Sequence, residues 1–415
     1  MSGLSWLSVD LVRELLENEC QTVADLAICL QEQFPDKKGL SKRNVERFLG
    51  ANGLNQRLDS PSDADLDGMV ASASTEVGHT YGRKMMKGFL ASQGVSASEH
   101  RIGHSLRRVN PYFHRNRCRG TQNQLNPRSY HAPYFGYNLH MDQNEKLVEF
   151  GVVFVIAVDG LSAFVPAASV MPRKNNLTIY EEVFRQAVTD YGLWDCVICD
   201  HGREFYLVEF VQDYLSNLRI QQDGQVSQRP PYKQLASTEN NRVERLWGEV
   251  NPRVGFPIGH ALRDLEEKGL VDKSDPTHLF AISQVSMAVA RVGLSKMIAS
   301  WNSHPIPRAG VPESFISSRQ NFALPANTLP SVQDAVALYE QSGGQLTEPS
   351  FVGEDLLANS PRLQEERRQT FWENVNQQYG SVDEIFGFIT NYSYDQFQSA
   401  IMEFIEFTDR LAQNE

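Results

Sequence analysis

The chain has 415 residues, enough for two or three domains with cores of their own. Its 41% hydrophobic and 10% aromatic content excludes a disordered or fibrous polymer. A formal net charge of −12 speaks against a uniformly basic nucleic-acid coat, but the charge is uneven. From Arg83 to Arg128 there are ten Lys and Arg against Glu99 alone, so a local polyanion-binding surface sits on an acidic chain.

Residues 9–57 read as three short helices. Val23, Leu26, Ala27 and Leu30 form one apolar stripe of the second. Ser41 is positioned to cap the third, which carries Lys42, Arg43 and Arg47, and Gly50 and Gly53 end it. The pattern is that of a helix-turn-helix. An acidic, turn-rich joint over 58–68 leads to a second helical set near 66–74, 82–92 and 96–109, with Ser96 or Ser98 as the cap of the last. His100 and His104, four apart, suit a solvent- or phosphate-facing pair better than a metal site, because no Cys pair follows. Residues 110–133 read as an extended basic arm.

The texture then becomes β-prone. One strand runs up to Asp142, a second covers 149–159 and a third 163–170. A helix follows over 177–191, then a strand over 194–199 ending at Asp200, then a helix over 205–218. Residues 219–222 could form a fifth strand, 223–238 a loop, and 239–250 a helix carrying Glu244. This order predicts an α/β domain, a mixed sheet with helices against it, whose ligands gather at strand carboxyl ends. Residues 262–303 read as helical, 324–360 as loop-rich, and 361–413 as acidic and helical. Cys196 and Cys199 have CxxC spacing but lie in an apolar run, which fits core packing. Five cysteines make no disulfide framework, and neither a signal peptide nor a membrane-length apolar run is visible, so an intracellular soluble protein with no membrane partner is expected.

Several phrases in this region resemble the catalytic core of retroviral-type integrases and related transposases, most closely the integrase-core proteins of eukaryotic mobile elements. They are His140-Met-Asp142, Val158-Asp-Gly-Leu-Ser162, Asp200-His-Gly-Arg-Glu-Phe205, Asn240-Asn-Arg-Val-Glu-Arg-Leu-Trp247 and Ala299-Ser-Trp-Asn-Ser-His-Pro305. The resemblance implies an RNase H-like fold with a five-stranded mixed sheet. It also implies a DNA-cutting and DNA-joining polynucleotidyl transferase that uses Mg²⁺ or Mn²⁺ on a catalytic and metal-binding set of Asp142, Asp200 and Glu244. DNA as partner, a homo-oligomer and a nuclear location follow from the same resemblance. The alternative is a domesticated, non-catalytic DNA-binding or regulatory protein.

Two rivals stay open: Asp159, which also suits a turn before Gly160, and Glu239, five residues before Glu244 and about 140° away around a helix. Candidate nucleic-acid contacts are Arg101, Arg107, Arg108, Arg115, Arg117, Arg119, Lys233, Arg242 and Arg245. Arg203 and Glu204 suit supporting roles, and Trp247 suits core packing. No His/Cys zinc module precedes the core, unlike retroviral integrases. The expected division is 1–57 helix-turn-helix, 66–130 second helical unit and basic arm, 131–255 catalytic core, 256–320 helical extension and 321–415 acidic tail.

Overall fold

The computed structural model describes residues 4, 6–18, 23–54, 61–120, 130–221, 223–235, 240–307, 310–325, 327–347 and 351–413. It divides into two compact units, Met1–Ser60 and Pro61–Glu415. The smaller contains α1 (Val9–Asn18), α2 (Val23–Gln33) and α3 (Lys42–Ala51). Their apolar stripes, among them Val12, Leu15, Leu26, Leu30, Val45 and Phe48, meet in one buried cluster. Ser41 stands at the N-cap of α3, but its side chain makes no capping bond.

The larger unit opens with α4 (Asp63–Val77), α5 (Arg83–Ser92), α6 (Glu99–Val109) and α7 (Pro111–Gly120). Ser98 caps α6 by accepting from Arg101 N at 3.2 Å. The expected extended arm is therefore helical over Pro111–Gly120, with Pro111 at the first turn, where a missing N–H costs nothing.

The sheet has five strands in the order β3-β2-β1-β4-β5. They are β1 (Asn138–Leu147), β2 (Val152–Asp159), β3 (Ala167–Met171), β4 (Cys196–Cys199) and β5 (Tyr232–Gln234). β1 pairs with β2 antiparallel and with β4 parallel, so the sheet is mixed. Every residue of β2 is buried, which is why it reads as an unbroken apolar run: it is covered on both faces. Of the expected fifth strand at 219–222, the described residues 219–221 form no strand. The fifth strand lies in the expected loop, defined by parallel pairing of Val197 with Tyr232 and Cys199 with Gln234.

One face of the sheet carries α8 (Asn176–Thr178), a wide-turned segment Ile179–Arg185, α9 (Gln186–Tyr191) and α10 (Tyr206–Tyr214). The other carries α11 (Asn241–Val250), α12 (Phe256–Glu267) and the long α13 (Pro276–Ser303). A π-type turn at Asn251–Gly255 joins α11 to α12 and accommodates Pro252, so the expected boundary at 255–256 falls inside continuous helix. Asp275 caps α13 by accepting from Thr277 N at 2.8 Å.

α14 (Val332–Gln341) rests on α10 through Phe210 and Tyr339. α15 (Pro361–Gln378), α16 (Val382–Thr390) and α17 (Asp395–Ala412) share one core with α4–α6 and α13. Close approach makes this possible: a Cβ on Gly88 of α5 would lie 2.2 Å from Ser300 O of α13. The acidic tail is thus part of the larger unit. Among the described residues no helix is long and apolar enough to cross a membrane.

Candidate active site

β1 and β4 run parallel with Leu139 beside Val197 and His140 beside Ile198. Two steps further in the same register stand Asp142 and Asp200. Asp142 lies in the middle of β1, opposite Ile156 of β2, and does not end a strand. Asp200 follows the last residue of β4 and accepts from Gly202 N at 3.1 Å, which closes the turn.

Side chains alternate along a strand, so His140, Asp142 and Asn144 share one face, the face covered by α11. On the helix, Asn240, Glu244, Trp247 and Asn251 fall at i, i+4, i+7 and i+11, a single stripe. The two rows bond to each other. Asn240 Oδ1 lies 2.7 Å from His140 Nδ1, and Asn240 Nδ2 donates to Met141 O at 3.1 Å. Trp247 Nε1 donates to Asp142 Oδ2 at 2.8 Å. Asn144 Nδ2 donates to Asn251 Oδ1 at 2.8 Å. Glu244 sits on the stripe between the first two rungs.

His140 is held neutral. Asn138 donates to Tyr130 Oη at 2.8 Å, and that hydroxyl lies 2.7 Å from His140 Nε2. The phenol therefore donates to Nε2 while Nδ1–H donates to Asn240. Burial pushes the imidazole down to about 4.

Burial also pushes the Asp142 carboxyl up to about 7. The Trp247 indole and the Gln143 backbone N–H oppose the rise, and the Glu244 and Asp200 charges add to it. Glu244 is raised as well, by burial first and then by Asp200. The three carboxylates feel each other. Coulomb forces act over several ångströms, however, whereas coordination needs oxygens about 2.0–2.6 Å from an ion. Among the described residues no three His, Cys, Asp or Glu side chains are arranged to hold an ion as they stand. The donor set itself, oxygen-only and mutually repelling, is of the kind a hard divalent cation relieves.

Asp159 has a different task. It accepts from Gly136 N (2.9 Å), Leu161 N (3.1 Å), Ser162 N (2.9 Å), Ser162 Oγ (2.8 Å) and Trp194 Nε1 (3.0 Å), as a buried turn residue. Glu239 lies outside the described residues. Glu204 is buried, bonded by Gln143 and 3.4 Å from Lys174. Cys196 and Cys199 are buried in β4 as core residues.

Residues 129–316 match the family model described as Integrase core domain, just under half of the chain. This segment is an integrase core domain. Its mixed five-stranded sheet flanked by helices is RNase H-like. No curated protein matches the chain.

The basic residues around the integrase core are unevenly available. Arg101 pairs with Asp63 at 2.6 Å and Arg108 with Asp67 at 2.8 Å, so α4 neutralises part of the basic block. Arg107 is exposed on α6. Arg115 is exposed on α7, its Nε donating to Pro111 O at 3.3 Å. Arg117 and Arg119 belong to α7, with side chains outside the described residues. Lys233 is exposed on β5 and Arg245 on α11. Arg242 is half-buried, its guanidinium 4.6 Å from the centre of the Tyr130 ring.

His100 and His104 are exposed on α6, their Nε2 atoms 3.2 Å apart. Sequence reasoning missed Trp247, Asn240 and His140 as parts of the site. The signal was present in the alternate positions of β1 and the four- and seven-residue spacing of α11.

Proposed function

We propose that the chain is an integrase-type polynucleotidyl transferase that cuts and joins phosphodiester bonds in DNA. The observation that carries this reading is that β1 and β4 run side by side up to His140 and Ile198, two residues before Asp142 and Asp200, and that the charges of Glu244 and Asp200 both act on Asp142. Asp142, Asp200 and Glu244 would hold one or two divalent cations, Mg²⁺ or Mn²⁺. When bound, such ions activate a water or a 3′-hydroxyl and neutralise charge on the leaving 3′-oxygen.

The chain's own groups do the rest. Asp142 must give up its proton to act as a ligand, and an approaching cation favours that ionised form. Lys233, Arg242 and Arg245 would meet the DNA backbone near the acids, while Arg107, Arg115 and the rest of the basic block would hold a more distant stretch. Positioning and charge neutralisation supply most of the acceleration in phosphoryl transfer. Action as a homo-oligomer and in the nucleus belongs to the same proposal.

The test is Mg²⁺- or Mn²⁺-dependent nicking or strand transfer on duplex DNA by the full chain. Asp200→Asn is expected to lower the rate by about 10³-fold or more. Equal, negligible activity of wild type and Asp200→Asn across many DNA ends would sink the enzyme reading.

A second reading is a DNA-binding regulator without catalysis; it is favoured by the side-chain arrangement, in which, among the described residues, no three His, Cys, Asp or Glu side chains group to hold an ion. It predicts salt-sensitive DNA binding that survives Asp200→Asn.

A further inference from the structure

The hydrogen bonds between β1 and the stripe running from Asn240 to Asn251 form a ladder of three rungs, and its middle rung touches a proposed ligand. Trp247 is a core residue by burial, at 6% exposure, and belongs to the same buried apolar cluster as Val243, Leu246 and Val250. A phenylalanine would serve that packing. The indole differs by one N–H, and that N–H is given to Asp142 Oδ2 at 2.8 Å.

An indole nitrogen is a donor with no acceptor capacity. It can therefore satisfy an ionised carboxylate oxygen without competing for a cation. The bond engages one oxygen of Asp142, restrains rotation of the carboxyl group and leaves the second oxygen outside this contact. The flanking rungs, Asn240 with His140 and Asn251 with Asn144, set the register of the helix on the strand. That register keeps Trp247 opposite Asp142, with Glu244 on the same stripe one turn earlier. A single helix thus supplies one proposed ligand and the group that orients another.

We propose that Trp247 is a positioning residue for Asp142, holding the carboxyl group in the fixed orientation from which it takes a divalent cation. The inference rests on the metal-binding reading given above. Hydrogen-bonded partners of metal ligands typically contribute ten- to a hundredfold in metal affinity.

The experiment is a titration of the full chain with Mn²⁺ alone, without DNA, reading free Mn²⁺ by electron paramagnetic resonance. Wild type, Trp247→Phe, Asp142→Asn and the double variant are compared, with folding checked by circular dichroism. Trp247→Phe is expected to weaken Mn²⁺ binding by about 10-fold or more, and to add nothing in the Asp142→Asn background. Binding that depends on Asp142 but is unchanged in Trp247→Phe overturns this inference and leaves the metal reading standing. Asp142→Asn binding as tightly as wild type overturns both.

Should Trp247→Phe fail to fold, the indole ¹H–¹⁵N resonance of Trp247 in wild type gives the second readout. Added Mg²⁺ is expected to shift it, because bond and cation share one carboxylate. A resonance unmoved at saturating Mg²⁺ overturns the inference.

Discussion

Two regions of the sheet each bury an aspartate and offer it an indole, yet they use the acid in opposite ways. At the end of β2, Asp159 collects Trp194, Gly136 N from ahead of β1, and three donors from the turn it organises. In the middle of β1, Asp142 has Trp247 and the Gln143 backbone N–H and faces the charges of Asp200 and Glu244. Burial raises both carboxyls. The first region satisfies its acid and gains a rigid turn. The second leaves its acid short of donors and beside two others, an arrangement that costs stability.

The comparison can be broken most sharply at Asp159. Asp159→Ala strands buried donors and should destabilise the larger unit by about 3–5 kcal/mol. Urea unfolding reads this directly, and a midpoint near wild type would mean the turn does not need its acid.

Asp142→Asn should do the reverse in the absence of divalent ions. The folded state keeps a proton on Asp142 up to about pH 7, whereas an unfolded aspartate releases it near 3.8. Between those values the folded state holds more protons, so wild-type stability falls as pH rises. At pH 8 the Asn variant is expected to be more stable by about 2–4 kcal/mol. Across the same window it should lack the pH slope that this group contributes. Millimolar Mg²⁺ should narrow the gap by stabilising wild type alone. A variant less stable than wild type at pH 8 without metal would remove the contrast with Asp159.

The smallest expected effect separates neighbours in the basic block. Exposed Arg107 and paired Arg108 differ by one residue and by Asp67. Arg107→Ala should weaken DNA binding a few-fold and reduce the salt slope by about 1. Arg108→Ala should change the slope less and lower stability only slightly, because the pair it breaks is exposed to solvent. Equal slopes for the two variants would show that the pairing with Asp67 yields to DNA.

Much of this was legible before any coordinates. The unbroken apolar run of β2, the helical periodicities of α4–α6, α13 and α15–α17, and the turn role of Asp159 are local patterns. Ordered phrases were enough to single out residues 130–320 as integrase-like, and the family match confirms that segment.

Other features depended on neighbours. β5 is three residues, Tyr-Lys-Gln, with no strand signature of its own; it exists because β4 pairs with it. The helix through Pro252 continues because a widened turn absorbs the proline while the flanking stripes stay buried. Trp247 is ambiguous in one dimension, because the same side chain fills a core and donates a hydrogen bond. Register across β1, β4 and α11 resolved it. Periodicity along a chain tells which residues share a face, but only packing decides which faces meet, and a carboxylate's chemistry is set by what meets it.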